Sequence, residues 1–99
     1  MISKEKVNEI IFKCVDETNI EEDTNISKDL NTILMGSDSE IDSLGLVSLI
    51  VVIEDAVNTE FDVSITLADE KAMSQRISPF KTLDTLSNYV ISLLQKKIV

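Results

Sequence analysis

From Leu46 onward the apolar residues recur at Leu46, Leu49, Ile50, Ile53 and Val57, the i, i+3, i+4, i+7 spacing of one buried helical face. Asp42 and Ser43 stand immediately before this row, where a helix takes its N-cap. A strand competes locally, because residues 49–53 are largely β-branched. The pattern continues through Glu54, Asp55, Ala56 and Val57 without Gly, Pro or Asn, too long for an ordinary strand, so residues 41–57 are read as a capped central helix.

The flanking segments read the same way. Ser3 caps a first helix running to about Thr18, with Ile2 and Val7 as a hydrophobic staple and Val7, Ile10 or Ile11, Cys14 and Thr18 as its inner row. Residues 19–25 form a polar, acidic loop. Ile26, Leu30, Ile33 and Leu34 then pin a long connection to the bundle, with one short helical segment ending at Gly36 and an acidic turn over 37–40. Beyond the central helix, 61–65 alternates but is long enough only for an extended link. Thr66 and Asp69 open a short helix over 67–74, and Ser78-Pro79 breaks the chain. Thr82 caps the last helix, with Leu83, Leu86, Val90 and Leu93 or Leu94 facing inward and Lys96 and Lys97 at its negative end. The expected fold is all-α: one domain over 1–99, a small bundle of three long helices plus one short helix, with a long loop after the first. No internal repeat is visible.

Composition agrees with this and narrows the partners. Aromatics are 4% of 99 residues, with two glycines and one proline, so the core has to be aliphatic and the chain mostly helical. The net charge is −9, and from Asp29 through Glu70 there is no Lys or Arg while ten carboxylates fall in that span. Nucleic acid and anionic membranes are therefore disfavoured, and basic partner surfaces favoured. An acidic surface that merely maintains solubility is the plainer alternative. No run has the length of a membrane span and the N-terminus has no signal-like apolar region, so a cytoplasmic monomer is expected.

Catalytic constellations are missing from the sequence. There is no His, the one cysteine sits in a core row, and no glycine-rich phosphate loop exists, so the expectation is a protein that is not an enzyme. Asp38, Glu40 and Asp42 imitate the first positions of a calcium loop, but Ser43 stands where that loop needs glycine and Leu49 where it needs glutamate.

Asp42-Ser43-Leu44 opening an amphipathic helix in a small acidic chain resembles the acyl carrier protein family, and size, charge and flanking helices extend the resemblance over nearly the whole sequence. The plain alternative for the tripeptide is a helix cap. The resemblance implies that a phosphopantetheinyl transferase places 4′-phosphopantetheine on Ser43, beside Asp42, and that the arm's thiol carries acyl or aminoacyl groups between loading, condensing or transfer enzymes. A hydroxyl at a helix start suits this, since an esterified phosphate meets free N–H groups and the positive end of the dipole. Gly45 would ease an enzyme's approach, or else is a neutral glycine costing about 1 kcal/mol against alanine. The segment from Ser43 to Phe61 is longer than in fatty-acid-synthesis carriers by about one turn, and the central helix has fewer acids. Both differences suggest a carrier for a dedicated pathway.

With the central row inward, Leu44, Val47, Ser48, Val51, Glu54 and Asp55 fall on the outer or flanking face. An apolar strip bordered by acids suits transient docking of basic partners, unless the first loop covers Val47 and Val51. The alternative from another functional class is an acidic helical interaction module without a prosthetic group.

Overall fold

The computed structural model describes residues 3–35, 39, 41–67 and 80–98, and for Ser43, Lys97 and Ile98 the backbone alone. Among the described residues it is all-helical: α1 is Lys4–Glu22, α2 is Ser43–Phe61 and α3 is Leu83–Ile98. The expected staple at Ile2, the segment end at Gly36, the turn over 37–40, the calcium-like pair Asp38 and Glu40, and all but the first residue of the short helix over 67–74 lie outside the described residues.

Ser3 is the N-cap of α1, its Oγ accepting the Lys6 N–H at 3.4 Å, and the helix buries Val7, Ile11, Cys14, Val15 and Thr18. It runs one turn past Thr18, correcting the expected end. Asn19 explains the extension, because it serves as the final hinge and not as a loop residue. Its backbone carbonyl accepts the N–H of Asp23, which is left-handed with φ 54°. Its Oδ1 accepts the Ile26 N–H at 2.8 Å while its Nδ2 donates to the Ile26 carbonyl at 3.1 Å. Ile26 is thereby turned back into the core.

α2 ends with the same device. Asn58 Oδ1 accepts from Ile65 N at 2.9 Å, its Nδ2 donates to Ile65 O at 3.1 Å, Asp62 is left-handed with φ 53°, and Ile65 is buried. The helix therefore includes Phe61, and only the residues after Asp62 form the expected extended link.

Between α1 and α2 the described connection is irregular, without the short helical segment anticipated in its last part over 24–35. Ile33 instead forms an antiparallel bridge with Thr82, and the Leu34 N–H donates to Lys81 O at 2.7 Å. This connection also closes the start of α3. Leu83 N donates to Thr32 O and Asp84 N to Leu30 O, while Thr82 and Thr85 satisfy each other's N–H groups through their hydroxyls. Every donor at that helix start is thus occupied, as buried or half-buried backbone requires.

α1 and α2 are antiparallel, joined by Lys6–Glu60 (3.0 Å) at one end and by Ser48 Oγ donating to Glu22 Oε1 (3.1 Å) at the other. α1 and α3 run parallel through Lys4–Asp84 (2.7 Å) and Ser87 Oγ donating to Asn8 Oδ1 (2.6 Å). Between the helices lie Leu46, Leu49, Ile50, Ile53, Val57, Leu83, Leu86, Val90 and Leu94, all buried as the spacing predicts. Each such side chain contributes about 1.5–3 kcal/mol on burial, far more than the exposed ion pairs. Phe80, fully buried and edge-on to Tyr89 with ring centroids 5.7 Å apart, is a core aromatic that the helical spacing did not single out.

Candidate functional site

α2 begins at Ser43 because Asp42 is an effective cap. Asp42 Oδ1 accepts the Gly45 N–H at 2.7 Å and its carbonyl accepts Leu46 N at 3.0 Å. Asp42 is itself exposed. Among the described residues no partner meets the Leu44 N–H, in contrast to the closed start of α3. The positive end of a 19-residue helix is suited to an anion.

Gly45 does not face outward. It is buried, and a Cβ there would stand 3.3 Å from Asp42 Oδ1 and 3.4 Å from Ile41 Cβ. The missing side chain lets Ile41 and the cap close over the first turn, which replaces the expectation that it opens a path for an enzyme. Ile41, buried at 7% exposure, is a contributor to the site that periodicity did not reveal, because it precedes the helix.

The outer face of α2 carries the apolar strip. Leu44 is 79% exposed, Val47 41% and Val51 51%, so the first loop does not cover them. Spacing of three and four residues puts them on one side of the helix, with Ser48 and Asp55 along the same side. Ser48 is half-buried and bonded to Glu22, which adds a carboxylate from α1 to the rim. Glu54 is also half-buried, and its Oε2 accepts the Leu67 N–H at 2.7 Å. Neither contact is local in sequence, and no helical pattern would predict them. Asp55 is exposed and borders a groove of about 480 Å³ between α1 and α2 whose apolar lining includes Ile10, Cys14, Val52 and Ala56.

Cys14 is buried in that wall, and burial pushes its thiol up to about 12, so at neutral pH it is a protonated core residue. Among the described residues no group of three or more Cys, Asp or Glu could hold a metal ion, and no helix is long and apolar enough to cross a membrane. No family model, curated protein or solved structure matches the chain.

Proposed function

We propose that this chain is a carrier protein in which Ser43 bears 4′-phosphopantetheine. The observation that carries the reading is the start of α2: Ser43 is its first residue, Asp42 caps it through Gly45, and the next N–H, that of Leu44, has no partner among the described residues. These residues fit a phosphodiester attached at position 43. The Leu44 N–H and the helix dipole favour the anion, while the Asp42 carboxylate is engaged by Gly45. When bound, the arm supplies a thiol that holds an acyl or aminoacyl group as a thioester.

The chain's own residues do the rest. Leu44, Val47 and Val51 offer transferases and client enzymes an apolar contact beside the attachment point. Asp42, Glu22 and Asp55 around that strip steer basic partner surfaces toward it and set the salt dependence of encounter. The carrier serves a dedicated pathway in the cytoplasm, as a monomer that meets its enzymes transiently.

An interaction module remains the second reading, because the Asp42 cap by itself accounts for the Asp-Ser-Leu tripeptide. Intact mass after incubation with coenzyme A and a broad-specificity phosphopantetheinyl transferase separates the two. A gain of one phosphopantetheine that Ser43→Ala abolishes, with unchanged helical circular dichroism, supports the carrier. No gain, or a gain lost on Ser39→Ala or Ser48→Ala instead, overturns it.

A further inference from the structure

Three hydroxyls are buried in the described core, and two of them are satisfied: Thr32 Oγ1 donates to Ser27 O at 2.8 Å, and Ser87 Oγ to Asn8 at 2.6 Å. Thr18 Oγ1 differs. It is buried without any partner, alone in this among the described side chains, in a residue 1% exposed. A buried hydroxyl without a partner is destabilising, and valine has nearly the same shape without that penalty.

The position of Thr18 relates it to the proposed site. Glu22 on α1 meets Ser48 on α2, and the helices are antiparallel. Thr18, one turn back along α1, is therefore level with the turn of α2 that follows Ser48 and contains Ile50. That turn lies about 10 Å along α2 from Ser43, at 1.5 Å per residue. The buried α2 residues at this end, Leu46, Leu49 and Ile50, are aliphatic and offer no polar side-chain atom. An acyl chain entering the bundle from the Ser43 end would run along these aliphatic residues and meet a hydroxyl without a partner at Thr18.

We infer that Thr18 is a specificity-determining contact for the cargo: its hydroxyl selects an acyl chain bearing a hydroxyl or oxo oxygen over a plain alkyl chain of equal length. The inference rests on the carrier reading. A threonine hydroxyl both donates and accepts, so either oxygen type satisfies it. The unloaded protein holds the unpaired group, and the matching cargo removes the penalty.

The test uses the full chain loaded from octanoyl- and 3-hydroxyoctanoyl-coenzyme A by the transferase. Thioester hydrolysis is measured for each and normalised to the same thioester on free pantetheine. In the wild type the hydroxylated chain should be protected about fivefold more than octanoyl, the equilibrium equivalent of one ordinary hydrogen bond. Thr18→Val should abolish that preference and raise the melting temperature of the unloaded protein, while Thr18→Ser should keep the preference. Equal protection of the two chains in the wild type, or an undiminished preference in Thr18→Val, overturns the inference. A lower melting temperature for unloaded Thr18→Val also overturns it, since the hydroxyl then already has a partner such as a buried water. A valine variant that does not fold counts as that same overturning outcome. Failure of wild-type protein to gain mass at Ser43 would be a failure of the carrier reading itself, seen before any hydrolysis is measured.

Discussion

Glu54 Oε2 accepts the Leu67 backbone N–H at 2.7 Å, tying the outer flank of α2 to a residue whose side chain is fully buried. Glu54 thus has a structural task whatever it does for partners, and Asp55, exposed on the next position, is the cleaner probe of surface charge. Glu54→Lys should lower stability by about 1–3 kcal/mol, the cost of leaving a buried donor unpaired. Glu54→Gln, whose amide oxygen still accepts, should lose less. Chemical denaturation of both variants checks this, and equal losses would mean that charge, not the hydrogen bond, matters at position 54.

Paired helix ends give a second prediction. Asn19 and Asn58 each bracket an isoleucine seven residues on, with a left-handed Asp between, at 23 and 62. Asn58→Ala removes both side-chain bonds to Ile65 and should cost about 1–3 kcal/mol. Asp62→Gly, which relieves the left-handed strain, should be neutral or stabilising in thermal melts. Asn19→Ala and Asp23→Gly should behave in parallel.

These caps mark the limit of what local patterning reveals. The inner rows of α1, α2 and α3 and the caps at Ser3, Asp42 and Thr82 follow from 3.6-residue spacing and N-cap chemistry, and they were legible. The repeated Asn-x-x-x-Asp-x-x-Ile was not, because its polar residues resemble a loop and its function appears only when Asn reaches the isoleucine backbone. The Ile33–Thr82 bridge and the Glu54–Leu67 tie join residues far apart in sequence, which periodicity does not address. At the candidate site, exposure of Val47 and Val51 depended on where the first loop runs. That path is set by its backbone bonds to the start of α3.

Cys14 supplies a pH prediction. Its folded-state thiol is held at about 12, above the ordinary 9.0, chiefly by burial. The folded protein therefore keeps a proton that the unfolded chain releases, and stability should be complete below about pH 9 and decline as pH rises toward 12. Cys14→Ala should be less stable overall but show a shallower alkaline decline, read from denaturant midpoints between pH 8 and pH 11. Superimposable slopes for the two proteins would show that other groups govern the alkaline limb.

At the α2 start, cap and charge can be separated. Asp42→Asn retains a capping side-chain oxygen and should change stability by only a few tenths of a kcal/mol, whereas Asp42→Ala should cost about 1 kcal/mol. If Asp42 also steers basic enzymes, kcat/KM for the transferase should fall in both variants, with a weaker salt dependence. Val51→Ser on the exposed strip should leave stability within about 0.5 kcal/mol and still lower kcat/KM. Wild-type turnover of the serine variant would remove the strip from the docking surface.

The last prediction concerns where apolar cargo resides, and the structure offers two places. The α1–α2 groove is open and has Lys6, Lys13, Glu9 and Asp55 among its lining residues, so a hydrocarbon laid there would remain partly in water beside charges. Among the described residues the buried interior is aliphatic apart from Phe80, Cys14 and the hydroxyls of Thr18, Thr32 and Ser87, and an acyl chain gains roughly 0.8 kcal/mol for each methylene buried there. Opening the helices costs packing contacts, so short or polar cargo should stay outside while a medium-length chain enters. The octanoyl form should therefore melt above the unloaded pantetheinylated form, and the acetyl form should not. Leu49→Ala, at a fully buried α2 position away from the groove lining, enlarges the interior; it should lower the melting temperature of the unloaded protein and recover part of that loss when octanoyl is bound. Val52→Ser, in the groove wall, should leave the octanoyl-induced rise unchanged. A rise abolished by Val52→Ser and indifferent to Leu49→Ala would place the chain in the groove.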